Sequence, residues 1–157
     1  LRILTGHLQA GMPGVEAVGT LNDLYVLRET GGFSTADLLE LHLDTGRASL
    51  YKWGAAPSYL KHRRSAKRMG TAAPPPGVGI GEAHQAEVIR LSLQKEEMVV
   101  LISDGLESEE TQSQIADFTG QTPKALAAGL VAAAPAGEAD DRTAVAVCLR
   151  PLSSRTT

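Results

Sequence analysis

Two segments of the sequence place carboxylates beside apolar runs. The run at residues 99–102 leads into Asp104, and Asp140 and Asp141 come shortly before the run at residues 144–149. If the two runs pair as antiparallel strands, the end of the first lies beside the start of the second, and the carboxylates share one end of the pair. Carboxylate oxygens are the ligands that hard divalent cations prefer. The sequence therefore predicts a metal site with Asp104 and Asp140 as candidate ligands.

Each motif alone also has a simpler interpretation as a turn. Asp-Gly, here Asp104-Gly105, is a common turn dipeptide, and Asp140-Asp141 suits an exposed loop. The apolar run before Asp104 favours the metal interpretation, and Gly105 allows backbone and a metal-bound water to approach closely. Ser103 and Thr143 flank the aspartates and are interpreted as orienting groups rather than nucleophiles.

Composition limits the class of protein. With 157 residues, 43% hydrophobic and 21% charged, the chain reads as one globular domain with a core of its own. The net charge of −3 and the aromatic content of 4% argue against nucleic acid and anionic membranes as partners. The single cysteine, Cys148, excludes an internal disulfide and a cysteine-rich zinc site. The chain opens on Leu1 without a signal pattern, which suggests a piece of a longer protein.

The pattern of elements predicts an α+β domain. Helical spacing covers residues 1–10 and 15–28, and alternating or apolar strands follow, with a hairpin turn at Asp44-Thr45-Gly46. Thr122-Pro123 has the cap residue and first-turn proline of a helix start. Antiparallel strands, a pair of helices and a closing strand form a layered α+β fold. The predicted strands lie at residues 39–43, 48–53, 58–60, 87–93, 98–103 and 144–149, the later helices at residues 108–118 and from 122, and irregular loops at residues 72–81 and 135–141.

The order of motifs resembles the bacterial metal-dependent protein phosphatases of the protein phosphatase 2C class. Within that class it is most similar to the phosphatase domain of the stage II sporulation protein E family. The resemblance covers about residues 15–150 and depends on an ordered set of motifs rather than on any single one. These motifs are Phe33-Ser34-Thr35-Ala36-Asp37-Leu38, Asp44-Thr45-Gly46, Trp53-Gly54-Ala55-Ala56-Pro57-Ser58-Tyr59-Leu60, Pro76-Gly77-Val78-Gly79-Ile80, Leu101-Ile102-Ser103-Asp104-Gly105-Leu106 and Asp140-Asp141-Arg142-Thr143-Ala144-Val145.

The resemblance implies a fold and a site. The fold is a β-sandwich of antiparallel sheets flanked by helices, with residues 1–150 in the domain and 151–157 as a flexible tail. Asp104 and Asp140 correspond to metal-binding aspartates, with Asp141 as a second candidate beside Asp140. Gly54 and Pro57 correspond to structural turn positions near the site, where Gly105 and Thr143 also lie.

The resemblance also implies an activity and its partners. Two Mn²⁺ or Mg²⁺ ions in the intact domain activate a water that hydrolyses phosphoserine or phosphothreonine. The implied substrate is a phosphorylated signalling protein such as an anti-sigma-factor antagonist, in the cytoplasm. The helices near the N-terminus correspond to positions that can serve regulation or a homodimer contact.

One departure from the family pattern limits this prediction. The family has a further Asp-Gly near its N-terminus whose aspartate bridges the metals, whereas Asp104-Gly105 is the single Asp-Gly here. Asp23, Asp37 and Asp44 do not lie in a comparable context. We interpret the domain as incomplete at its N-terminus, with little or no activity expected from this segment alone. The alternatives are a non-catalytic pseudophosphatase module and an unrelated α+β domain whose aspartates are turns.

The remaining polar residues carry weaker signals. The four histidines, His7, His42, His62 and His84, show no metal-ligand spacing. The basic segment at residues 61–68 is predicted to be a solvated hairpin tip, with attraction of a phosphoprotein as the alternative.

Overall fold

In a computed structural model, the described residues are 2–27, 32–70, 73–78, 86–120, 122–134 and 140–149. The chain divides into two compact units: unit 1 comprises Leu1–Leu41, Ala48–Ala56 and Gly70–Leu91, and unit 2 comprises His42–Arg47, Pro57–Met69 and Ser92–Thr157. No helix in the described ranges is both long and apolar enough to cross a membrane. The predicted tail at residues 151–157 lies outside the described residues, as do parts of the two predicted loops.

Unit 1 contains two helices and a three-stranded sheet. The helices are α1 (Arg2–Gln9) and α2 (Gly14–Leu27), and the strands are β1 (Ala36–Leu41), β2 (Arg47–Trp53) and β5 (Glu87–Ser92), in the order β1-β2-β5. β1 and β2 pair antiparallel around the predicted turn, in which Gly46 has a φ of +72° that glycine adopts without strain. The hairpin prediction is confirmed.

The core of unit 1 is formed by α2 and the sheet. Val18, Leu50 and Trp53 are almost completely inaccessible to solvent. A Cβ atom on Gly14 would overlap the side chain of Leu38, so the first turn of α2 lies directly against β1. The predicted helix at residues 15–28 is therefore confirmed through Leu27, and Arg28 lies outside the described residues.

Unit 2 contains a four-stranded sheet and two helices. The strands are β3 (Ser58–His62), β4 (Ser65–Met69), β6 (Glu97–Ile102) and β7 (Ala144–Val147), in the order β4-β3-β6-β7. The helices are α3 (Thr111–Asp117) and α4 (Pro123–Ala133), and a short 3-10 turn covers Asp104–Leu106. Val99 and Val100 point to opposite faces of β6 and are both fully buried, which explains the continuous apolar run in the sequence.

The predicted strands around the turn at residues 94–97 exist, but they do not pair with each other. β5 belongs to the sheet of unit 1, whereas β6 pairs with β3 and β7 in unit 2. The turn therefore connects a strand of one sheet to a strand of the other. It is closed by two hydrogen bonds, Glu97 N to Gln94 O at 3.1 Å and Gln94 N to a Glu97 carboxylate oxygen at 2.7 Å.

The helix prediction at Thr122-Pro123 is confirmed in detail. The Thr122 hydroxyl accepts a hydrogen bond from the Ala125 backbone N–H at 3.1 Å, and Pro123 occupies the first turn. Such a cap satisfies one of the backbone donors that a helix start leaves free. The preceding helix is shorter than the predicted 108–118 and covers only Thr111–Asp117.

Candidate metal site

The antiparallel pairing of β6 and β7 brings the two aspartate motifs to one end of the sheet in unit 2. Ile102 is opposite Ala144, so Asp104 follows β6 at the same end at which Asp140 and Asp141 precede β7. This is the geometry that the sequence analysis required. We call this end, formed by Ser103–Gly105 and Asp140–Thr143, the aspartate edge.

Ser103 joins the two halves of the aspartate edge. Its backbone N–H donates to the Thr143 carbonyl at 2.9 Å, which continues the strand ladder by one residue. Its hydroxyl accepts from the Thr143 N–H at 2.9 Å and donates to the Asp141 carbonyl at 3.0 Å. The side chain therefore binds the backbone of the opposite loop rather than a carboxylate, and its positioning effect acts through that backbone.

Gly105 allows the two loops to approach each other. A Cβ atom at this position would lie 2.6 Å from the Asp141 carbonyl oxygen, closer than side-chain and backbone atoms normally come. The predicted close approach of backbone at Gly105 is therefore confirmed. Only a residue without a Cβ fits here without moving one of the loops.

The carboxylates of the aspartate edge make only local hydrogen bonds. Asp104 Oδ1 accepts from the Gly105 N–H at 3.2 Å, and Asp140 Oδ1 accepts from the Asp141 N–H at 2.8 Å. All three aspartates are exposed to solvent. Within the described part of the chain, no lysine or arginine forms a salt bridge with them, so their remaining oxygens can accept a ligand.

The donor set suits a hard cation. Exposed carboxylate oxygens are the ligands that Mg²⁺ and Mn²⁺ take, often together with several waters. Among the described residues, no group of three or more histidine, cysteine, aspartate or glutamate side chains is placed to hold a metal. The residues present therefore fit part of a metal site, and the ligand roles of Asp104, Asp140 and Asp141 stay a prediction.

The two predicted structural positions fall in different units. Pro57 directly precedes β3, and because Ser58 pairs with Leu101 it lies at the end of the sheet where the aspartate edge is found. Gly54 follows β2 in unit 1 with a φ of +62°, and a Cβ atom there would come within 2.7 Å of Pro75. Pro57 is buried and Gly54 is closely packed, and their role as structural positions near a metal site stays a prediction.

A buried ion pair in unit 1 was not anticipated from the sequence. The Lys52 ammonium donates to both oxygens of Asp37, at 2.7 and 2.8 Å, and to the Ala56 carbonyl at 2.7 Å. The Lys52 side chain is only 2% exposed and that of Asp37 11%. The predicted hairpin is the sequence signal that could have indicated this ion pair, because Asp37 and Lys52 are direct cross-strand partners in its register.

The basic segment at residues 61–68 is only partly the solvated tip that was predicted. It forms the β3–β4 hairpin with Arg63 and Arg64 exposed in the turn. Lys61, however, is 4% exposed, and its ammonium donates to the carbonyls of Arg63 and Ala116. Burial lowers the pKa of Lys61. For this residue the prediction was wrong, because the ammonium binds a carbonyl in the last turn of α3, where the helix dipole favours a cation.

The comparisons with known proteins identify the class of fold. The PP2C phosphatase domain of SpoIIE from Bacillus subtilis, determined with a fragment of its regulatory domain, matches with a TM-score of 0.76 and 22% identity over 92% of this chain and 46% of that chain. The SpoIIE phosphatase domain presoaked with Mn matches with a TM-score of 0.66 and 22% identity over 97% of this chain and 72% of that one. The RsbU and RsbW domains of Rv1364c from Mycobacterium tuberculosis match with a TM-score of 0.74 and 18% identity over 92% and 44%. The chain thus has the α+β fold of the PP2C phosphatase domains, and the predicted fold class is confirmed.

The family follows from the sequence comparisons. The family model described as stage II sporulation protein E (SpoIIE) matches residues 1–150. The chain belongs to the stage II sporulation protein E family. A curated relative, stage II sporulation protein E of Priestia megaterium, is 29% identical over 107 residues, which are 68% of this chain. The match spans only 18% of the length of that relative.

Proposed function

We propose that this chain forms the larger, C-terminal part of a metal-dependent phosphatase domain that hydrolyses phosphoserine and phosphothreonine in proteins. The observation that carries the proposal is the β6–β7 register, which places Asp104 and Asp140 at one end of the sheet. Membership of the stage II sporulation protein E family supports it, as does the PP2C fold.

Each residue of the aspartate edge has a distinct task in this proposal. Asp104 and Asp140 supply oxygen ligands to Mn²⁺ or Mg²⁺, with Asp141 as the second candidate. Ser103 holds the two loops at a fixed separation through its hydrogen bonds to Thr143 and Asp141. A divalent ion held there would lower the pKa of its bound water toward neutrality and so supply a nucleophile at neutral pH.

The substrate we propose is a phosphorylated signalling protein in the cytosol, such as an anti-sigma-factor antagonist. A further metal-binding aspartate is expected upstream of the chain, since two carboxylates alone hold a divalent ion weakly. We further propose that the phosphatase domain ends at residue 150 and that residues 151–157 form a flexible tail. A homodimer through the helices near the N-terminus is its proposed assembly.

A non-catalytic module with the phosphatase fold is the second candidate. It is favoured by the limited ligand set, because the described residues do not bring three metal-binding side chains together. Such a module would bind a phosphoprotein or a partner domain without hydrolysis. The two candidates differ in whether phosphate is released.

The test measures Mn²⁺-dependent phosphate release from a phosphoserine protein by the full-length protein that carries this segment. We expect release that stops on chelation and that falls by about 100-fold or more in Asp104→Asn and Asp140→Asn, because each removes a charged ligand of the activating ion. Asp44→Asn, an exposed turn aspartate of unit 2, is the matched control and should retain activity. Absence of Mn²⁺-dependent release from the wild type would contradict the enzyme proposal and favour the module.

A further inference from the structure

The turn that carries Asp104 closes on itself through two backbone hydrogen bonds. Leu106 N donates to Ser103 O at 3.0 Å, and Glu107 N donates to Asp104 O at 2.8 Å. Leu106 is buried, so its own carbonyl needs a partner within the protein. The conformation of the turn, and with it the position of the Asp104 side chain, therefore depends on the group that binds this carbonyl.

Thr111, the first residue of α3, supplies that group. Its hydroxyl donates to the Leu106 carbonyl at 2.7 Å and accepts from the Ser108 N–H at 3.0 Å. A hydroxyl has one hydrogen to donate, so the Ser108 hydroxyl, 2.9 Å away, is the donor in the third contact. The Thr111 hydroxyl thus holds the chain on both sides of Glu107, directly after the aspartate turn.

Burial makes the Thr111 hydroxyl a strong anchor. The residue is only 2% exposed. Removing a buried hydroxyl leaves its partner, here the Leu106 carbonyl, without a hydrogen bond, and this costs more than the bond itself contributes. A second side-chain link to the same segment, the ion pair of Arg68 with Glu107, is 48% and 40% exposed, and such pairs contribute little. Thr111 is therefore the stronger of the two anchors.

The helix α3 is itself fixed to the sheet of unit 2, so it can act as a rigid support for the turn. At its start, the Gln112 amide nitrogen donates to the Ala66 carbonyl of β4 at 2.7 Å. At its end, the Lys61 ammonium of β3 donates to the Ala116 carbonyl at 3.0 Å. Ile115 on the same helix is completely buried. Both ends of α3 are thus bonded to neighbouring strands.

We propose that Thr111 is a positioning residue for Asp104. Its hydroxyl fixes the aspartate turn to α3 and so holds the Asp104 carboxylate at the aspartate edge before a metal ion binds. The inference rests on the proposed function, because the position of this carboxylate matters for metal affinity only if it is a ligand. Loss of a group that orients a metal ligand typically lowers metal affinity by about 10- to 100-fold.

The first test needs no metal and measures hydrogen exchange at the Leu106 and Glu107 amides of the full-length protein. Thr111→Val keeps the shape of the side chain and removes its hydroxyl. Both amides should then exchange about tenfold faster, the effect of losing about one hydrogen bond. Thr111→Ser retains the hydroxyl and should exchange like the wild type. Unchanged exchange in Thr111→Val would overturn the inference.

The second test measures the Kd for Mn²⁺ by calorimetric titration of the same full-length proteins. Thr111→Val should raise the Kd by about 10- to 100-fold, and Thr111→Ser should keep it within about threefold of the wild type. Thr122→Val is the matched control, because the Thr122 hydroxyl also bonds the first turn of a helix, α4, but not the aspartate turn. It should lower stability and leave the Kd unchanged. Equal increases in Thr111→Val and Thr122→Val would overturn the inference.

The outcomes separate this inference from the proposed function. Mn²⁺ binding that is lost in Asp104→Asn but keeps the wild-type Kd in Thr111→Val would overturn the inference and leave the phosphatase proposal standing. If the wild type binds no Mn²⁺, the phosphatase proposal fails and the inference fails with it. If Thr111→Val does not fold, Ser108→Ala tests the same contact from an exposed position. It should raise the Kd by about threefold, and an unchanged Kd would overturn the inference.

Discussion

Asp37 lies in strand β1 of unit 1 and Asp104 follows strand β6 of unit 2, and the fold uses their charges differently. Asp37 is nearly buried, and both of its oxygens accept from the ammonium of its cross-strand partner Lys52. Asp104 is exposed, and its carboxylate accepts a hydrogen bond from the N–H of Gly105. A carboxylate that is bound by a buried lysine stabilises a fold, whereas one left with free oxygens at a sheet end can take a ligand. The comparison predicts opposite responses to mutation at the two sites.

The largest effect is expected from Lys52→Met, which leaves Asp37 without its buried cation. Breaking a buried pair from one side costs about 3–5 kcal/mol of folding free energy. Urea denaturation of the purified chain measures it. Lys67→Met, at an exposed lysine of β4, is the matched control and should change stability by no more than about 0.5 kcal/mol. Equal stability of the two variants would show that the pair does not hold unit 1 together.

Gly105→Ala should have the next largest effect, at the aspartate edge. The added Cβ would come to 2.6 Å from the Asp141 carbonyl oxygen, so one of the loops must move. We expect a loss of about 1–3 kcal/mol, the usual cost of forcing an extra methyl group into a packed site. Gly129→Ala in α4 is the control, and it should instead raise the free energy of unfolding by about 0.5–1 kcal/mol, since alanine is favoured over glycine within a helix. Nothing lies within 4 Å of the Cβ position at Gly129, so the added methyl group fits. A stabilised Gly105→Ala in the same denaturation experiment would contradict the close approach.

Ser103→Ala removes the hydroxyl that links the two loops of the aspartate edge. Loss of its two hydrogen bonds should cost about 1–2 kcal/mol. In the full-length protein Ser103→Ala should also lower the Mn²⁺ affinity by about 10- to 100-fold, as substitutions of residues that position metal ligands do. Calorimetric titration with MnCl₂ checks the affinity. The control is Ser113→Ala, because the Ser113 hydroxyl donates only to the Glu110 carbonyl within its own helix turn. This change should leave the Mn²⁺ affinity unchanged. A similar loss of affinity in both variants would rule out positioning by Ser103.

Asp104→Asn should have the smallest effect on the metal-free chain, within about 0.5 kcal/mol, because the side chain is exposed. The same change should remove the stabilisation by Mn²⁺, which for a bound ligand at 100 times its Kd is about 2.7 kcal/mol. Thermal denaturation of the full-length protein with and without MnCl₂ measures both. Asp44→Asn should respond to Mn²⁺ like the wild type. A Mn²⁺ response that survives in Asp104→Asn would exclude this residue as a ligand.

Much of the site could be predicted from the sequence because its signals are local. The apolar run before Asp104 predicted a buried strand, and the run after Asp141 predicted its partner; both strands and their antiparallel pairing are confirmed. Gly105 was expected to permit a close approach, and the Asp141 carbonyl makes that approach. Periodicity and turn chemistry supply these conclusions, since both depend on a few adjacent residues.

Other features could not be predicted because they join residues far apart in the chain. Lys61 looked like part of a solvated basic tip, but α3 supplies a carbonyl from 55 residues later and buries the ammonium. Similarly, Arg68 on β4 forms an ion pair with Glu107, which lies 39 residues later in the segment after the aspartate turn. Composition gives no indication that such segments meet.

The sequence by itself determined the class of fold, the strand ends that carry the aspartates and the chemistry that carboxylate oxygens favour. It did so because strand and turn preferences, and the preference of hard cations for oxygen, are properties of short segments and of single side chains. The tertiary structure decided which carboxylate is free and which is bound, that the turn after β5 connects strands of two different sheets, and that Lys61 is buried against α3. These depend on the partners that long-range pairing brings to each side chain, and burial then determines whether a charge is engaged within the fold or available to a ligand.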